Sequence, residues 1–173
     1  MTIHSDLRSY VAPILVLGLG SSASGDDGVG AILLDELSKH YRYAVKFVEF
    51  VNGGTRGLDL LEDIAGRPAV LILDAVATEK QPGAVCVLER SDALRYATTD
   101  QPSVHDGDAR ELLSTAAFLG DLPNNFCLLG VRPSRSHGPS FSKSVQQALP
   151  SAVQEAQSIV DRFLVELAEP VQA

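Results

Sequence analysis

The stretch PILVLGLGSSASGDDGVG, residues 13–30, runs an apolar strand directly into a glycine-rich loop that carries two adjacent carboxylates, Asp26 and Asp27. Glycine loops after a first strand usually receive phosphate. Here the loop brings negative charge to the place a phosphate would occupy, and like charges at close range in a partly desolvated cleft cost several kcal/mol. The loop is therefore read as built for a cation. Gly18, Gly20 and Ala23 do satisfy the relaxed dinucleotide pattern G-x-G-x-x-G/A. In that motif the helix opens inside the glycines, whereas here Gly25, Asp26, Asp27, Gly28 and Gly30 follow and push the helix later. A ribose-binding acid should come about twenty residues on. The nearest acid at a strand end, Glu49, lies further away. A dinucleotide-binding oxidoreductase is the weaker alternative.

The 173 residues, 45% of them apolar, suffice for one ordinary core, so a single domain over 1–173 is expected, with its core at 13–165 and frayed ends at 1–12 and 168–173. A net charge of −8 and a pI near 4.9, with no basic run, argue against a nucleic-acid partner. The N-terminal MTIHSDLRSY lacks a signal-peptide pattern, and no apolar run approaches eighteen residues. No membrane partner and a cytoplasmic location are expected. Cys86 and Cys127 sit in separate apolar segments without C-x-x-C spacing and read as buried free thiols. Nothing flanking either would activate it as a nucleophile.

Apolar runs of about six residues alternate with amphipathic stretches, the pattern of an α/β fold. The runs are 14–19, 45–50, 69–76, 84–89 and 126–131. Several are apolar on both faces, as buried parallel strands should be. Helical spacing marks 29–41, 57–65, 109–119 and 142–167, the last interrupted by Pro150, which predicts a break or kink. The segment VATEKQPGA between the third and fourth runs is too short for a crossover helix and reads as a hairpin, making the fourth strand antiparallel to the third. The expected fold is a single three-layer α/β/α domain with a twisted, mixed five-stranded sheet.

Ligands in such sheets collect after the carboxyl ends of the parallel strands. Asp26 and Asp27 follow the first strand, Asp74 ends the third, and His105 lies in the loop QPSVHDGD before the third helix. Two carboxylates and an imidazole suit a divalent ion such as zinc, manganese or nickel and leave coordination positions open for hydrolysis. Each has a plainer alternative. Asp26 or Asp27 could cap the helix near Gly28, though both cannot; Asp74 could cap a turn; His105 could be a solvated loop residue. Asp106 and Asp108 fit the start of the third helix. His4 and His40 read as surface residues, and His137, in the Ser/Pro-rich loop 133–142, could touch a substrate. Gly53, Gly54 and Thr55 after the second strand allow close backbone approach to an extended peptide, or simply a tight turn. No G-x-S-x-G elbow, H-E-x-x-H helix or Walker loop is present.

These residues resemble the hydrogenase maturation endopeptidases, which trim the C-terminal extension from the large subunit of nickel–iron hydrogenases. The resemblance covers about residues 13–165 and is carried by GLGSSASGDDGVG, NGGTRGLDLL, LILDAV, SVHDGD and LLGVRP in that order. It implies a twisted mixed sheet between helices. It also matches Asp27, Asp74 and His105 to the family's two metal-binding acids and its histidine, with Asp26 left as a possible general base. The substrate it implies is a nickel-loaded large-subunit precursor, cut after a Cys-containing motif near its C-terminus. The nickel would arrive with that precursor, although zinc or another divalent ion fits the same ligands. Ser21 and Ser22 stand where the family commonly has Asn-Pro, and Asn52 where it commonly has Asp. A non-catalytic, nickel-dependent binding or chaperone module for hydrogenase maturation is the alternative from another class.

Overall fold

A computed structural model describes residues 11–98, 109–134 and 139–168. Its strands are β1 (Ile14–Leu19), β2 (Val48–Gly54), β3 (Ala69–Ala75), β4 (Val85–Glu89) and β5 (Asn125–Val131). Its helices are α1 (Val29–His40), the single turn α2 (Leu61–Ile64), α3 (Arg90–Ala97), α4 (Ala109–Leu119) and α5 (Lys143–Ala168). The sheet order is β2-β1-β3-β5-β4, parallel except for β4.

Strand alternation divides the apolar side chains between two cores. Ile14 and Val16 of β1, Leu71 and Leu73 of β3, and Cys127 and Leu129 of β5 pack against Leu33, Leu37, Val145, Val160 and Phe163 of α1 and α5. Leu15, Leu17, Val70, Ile72, Phe126 and Leu128 face the other way, against Leu60, Ile64, Ala93, Leu112 and Leu113. The central strands β1 and β3 are buried along their whole length, which explains why their sequences are apolar on both faces. Each buried Leu or Ile contributes about 1.5–3 kcal/mol relative to an exposed one. The three-layer α/β/α arrangement with a mixed five-stranded sheet is thus the fold expected from sequence.

Four local expectations are corrected. The second strand lies at 48–54, not 45–50, because Val45 and Phe47 are exposed and β2 instead runs through Asn52 and both following glycines. The fourth strand does not form a hairpin with the third. It is antiparallel, but its partner is β5, with Val85 opposite Val131, so β5 intervenes between β3 and β4. The crossing is possible because Gly130 has no side chain: a Cβ there would lie 2.3 Å from the Val76 side chain that passes over it. Pro150 does not break the last helix, which is continuous through it. Both Pro150 and Gln146, whose carbonyl the proline deprives of its usual donor, are exposed, so water can satisfy that group. Finally, α3 is an element the sequence reading omits; it is two turns long and buries only Ala93.

The expected frayed ends lie mostly outside the described residues, since 1–10 and 169–173 are not among them. Among the described residues, no helix is long and apolar enough to cross a membrane.

The first loop returns to the sheet through glycines. Gly20 adopts φ +87°, and a Cβ there would fall 1.9 Å from the carbonyl oxygen of Asp27. At Gly30 in α1 a Cβ would meet the Leu73 and Leu19 carbonyl oxygens at 2.2 and 2.5 Å, so the helix starts hard against the ends of β1 and β3. Gly20→Ala should therefore lose about 3 kcal/mol or more in urea unfolding, combining clash with left-handed strain. Gly66→Ala, at φ +73° with nothing within 4 Å, should lose only about 1 kcal/mol.

Candidate active site

The chain passes from β1 through α1 to β2 on one side, then returns across the opposite face through α2 to β3 on the other side of β1. The topology therefore switches between β1 and β3, the place where open α/β sheets leave a crevice beyond their carboxyl ends. Asp27 follows β1 and Asp74 is the penultimate residue of β3, so the two acids stand at the ends of the strands that bound this switch point.

Gly25–Gly28 form a 3-10 turn that packs against β3 and carries both first-loop acids. Asp27 is half-buried and Asp26 buried. Neither is the N-cap residue of this turn or of α1, positions held by Ser24 and Gly28. The two Asp26 oxygens instead reach across the molecule. Oδ1 accepts from the Ser142 amide at 2.7 Å and Oδ2 from the Ser134 amide at 2.8 Å. Helix α1 opens at Val29, beyond Gly18, Gly20 and Ala23 rather than within that pattern, unlike a dinucleotide cradle.

Asp74 is 6% exposed. Its Oδ1 accepts from the Ala75 amide at 2.7 Å, and its Oδ2 from the amide of Ala109, the first residue of α4, at 3.3 Å. The strand-end carboxylate is thus turned toward the N-terminus of the helix that follows the His105 loop, where the helix dipole favours negative charge. His105 itself, with Asp106 and Asp108, lies outside the described residues, as do His4 and His137. Among the described residues no three His, Cys, Asp or Glu side chains assemble into a metal site. The described part of the proposed ligand set is the carboxylate pair.

Gly53 and Gly54, the last residues of β2, take part in the protein's own packing. A Cβ on Gly53 would meet the Leu19 and Leu60 methyl groups at 2.8 and 2.9 Å. The Gly54 amide donates to Asn52 Oδ1 at 3.1 Å, and its carbonyl accepts from the Gly20 amide at 2.9 Å. Asn52 closes the turn through its side-chain oxygen. Thr55 is exposed, and His40 is an exposed residue at the end of α1, as the sequence suggests.

Both cysteines are free and buried. Cys86 donates weakly to the Gly130 carbonyl, and burial raises its pKa. Cys127 donates to Glu89 Oε2 at 3.0 Å and accepts from Arg162 Nη2 at 3.1 Å, while Arg162 also pairs with Glu89 Oε1 at 2.9 Å. Burial, and then the Glu89 carboxylate, push this thiol up to about 12. A thiol held protonated in this way is no nucleophile at neutral pH.

Residues 33–159 match the family model described as hydrogenase maturation protease, a stretch that contains Asp74 and His105 and begins after Asp27. This chain belongs to the hydrogenase maturation protease family. It is therefore related to peptidases, and the resemblance expected from its motifs holds. It is 34% identical to the hydrogenase 2 maturation protease of Escherichia coli K12 over 69% of this chain and 73% of that one. Against the hydrogenase expression/formation protein HupD of Rhizobium leguminosarum bv. viciae it is 30% identical, over 90% and 78% respectively. The structure of the hydrogenase maturating endopeptidase HybD from Escherichia coli superimposes with a TM-score of 0.73 at 27% identity, covering 87% of this chain and 93% of that chain. A Thermococcus kodakarensis maturation protease shares the fold at a TM-score of 0.63 and 21% identity.

The family's protease chemistry in this chain thus falls to groups other than its two thiols. Because folded Cys127 holds its proton more tightly than the unfolded chain does, its contribution to stability is complete below about pH 9. It is lost as pH rises toward 12. Urea midpoints should fall between pH 9 and 11, and Cys127→Ala should flatten part of that fall.

Proposed function

We propose that this member of the hydrogenase maturation proteases removes the C-terminal extension of a nickel–iron hydrogenase large-subunit precursor after nickel insertion. The observation that carries the reading is the pair Asp27 and Asp74 on the two sides of the β1/β3 switch point, in a chain of this family. The relatives named above as acting in hydrogenase maturation support the substrate class.

In this reading Asp27, Asp74 and His105 grip the precursor's own nickel, and the ion is part of the substrate. Hard carboxylates with one imidazole suit a borderline divalent ion, and zinc would fit the same donors. Asp74 is held by the Ala75 and Ala109 amides, which fix its carboxylate before substrate arrives and limit reorganisation on binding. Gripping the ion fixes the precursor's C-terminal segment over the strand ends, and a water activated by the ion or by a carboxylate hydrolyses the scissile peptide. Such an aspartic or metal-assisted mechanism accords with the protonated thiols. Gly53, Gly54, Thr55 and His137 are the candidates for contact with the flanking peptide. The work is assigned to the cytoplasm, in keeping with the absence of a membrane-crossing helix among the described residues.

Intact mass spectrometry of nickel-loaded and nickel-free precursor, incubated with this protein, tests the reading. Loss of one defined C-terminal peptide from the loaded form alone is expected. Asp27→Ala and His105→Ala should each lower kcat/KM by about 10²-fold or more while leaving the fold intact by thermal melting. Association with loaded precursor without any mass change would instead mark a binding module.

A further inference from the structure

Asp26 stands beside a proposed ligand yet directs both carboxylate oxygens away from it, to the amides of Ser134 and Ser142. Those amides lie 108 and 116 residues further along the chain, at the two ends of the connection between β5 and α5. Ser134 comes three residues after β5 ends, and Ser142 immediately precedes α5, its Oγ accepting from the Val145 amide at 3.3 Å. One buried carboxylate thus draws both ends of a connection onto the 3-10 turn of the first loop. The same turn packs closely on Gly20, where an added Cβ would fall 1.9 Å from the Asp27 carbonyl oxygen.

We propose that Asp26 is a positioning residue acting through Asp27, and not the general base. Its carboxylate ties Ser134 and Ser142 to the Asp27 turn in one frame, so the Asp27 side chain is presented at a fixed place relative to both. This rests on the reading of Asp27 as a substrate-gripping residue. Asp26 is paired by geometry with backbone donors alone, a task in which the number of acceptor oxygens matters and proton transfer does not. Asn keeps one acceptor and sets an NH₂ group against the other amide, whereas Ala keeps none.

The two roles differ in how Asn and Ala rank. Full-length wild type, Asp26→Asn and Asp26→Ala should be compared by hydrogen exchange over residues 131–134 and 142–145, and by kcat and KM for trimming nickel-loaded precursor. A positioning role gives graded losses in kcat/KM, about 10-fold for Asn and about 10²-fold for Ala, with KM sharing the change and exchange quickening in the same order. Equal losses in both variants, confined to kcat and with exchange unchanged, would identify a proton-transfer group and overturn the proposal. Faster exchange with wild-type kinetics would overturn it as well. If Asp26→Ala fails to fold, Asp26→Asn decides: lost activity must come with faster exchange at one of the two amides. A wild-type protein that leaves loaded precursor uncut fails the functional reading itself, a result separate from any ranking of the variants.

Discussion

The structure depends on how closely helix α1 can begin against the sheet. Its first turn meets the Leu19 and Leu73 carbonyl oxygens at a distance no Cβ would tolerate, and the loop leading to it folds back until Gly20 touches the Asp27 backbone. Packing at that range removes slack. Such close packing narrows the paths open to the loop between β1 and α1, which carries Asp27 just beyond the end of β1. The glycines that resemble a phosphate loop thus serve close packing of backbone on backbone, and the charge of the loop comes from its acids.

Three buried or half-buried carboxylates at one end of a sheet would repel one another if left to themselves, and the fold separates their surroundings. Asp74 faces the side of the sheet covered by α4, whose first amide it meets. Asp26 is turned to the β5–α5 connection and neutral backbone donors. Buried carboxylates are tolerable when charge-assisted hydrogen bonds replace their lost water. For Asp26 these partners are backbone amides, which carry no net charge.

Much of this was legible in the sequence, and the reasons are specific. β1, β3 and β5 announce themselves because they lie between two helical layers and are apolar on both faces. Asp27 and Asp74 become candidates from their places after the first strand and at the end of the third alone. β2 was misplaced because Val45 and Phe47 are apolar yet exposed, while Asn52, Gly53 and Gly54, poor strand formers, continue the ladder beside β1. Edge strands satisfy one neighbour only, so their composition is loosely constrained. The partner of β4 was beyond local reading, since a nine-residue connection fits a hairpin and a step over one strand equally well. What reveals the step is a missing side chain at Gly130, a contact between distant positions. The helix α3 buries one alanine and offers too short a pattern to detect.

The division of labour within Asp26-Asp27 was illegible for the same physical reason. Adjacent acids in a glycine loop permit capping, metal binding or base catalysis, and local spacing ranks none of them first. The discriminating fact is which groups the tertiary fold brings to each carboxylate, and for Asp26 these are amides more than a hundred residues away. Successive residues in a tight turn point their side chains in different directions. One acid can therefore anchor the turn to the rest of the protein while its neighbour is left for the gripping role proposed for it. A single acid could not do both, because a carboxylate committed at both oxygens to fixed amides has its geometry set by the fold, whereas a ligand must meet an incoming ion. In the proposed reading the pair is one anchor and one presented group, and the fixed place of the second depends on the buried bonds of the first.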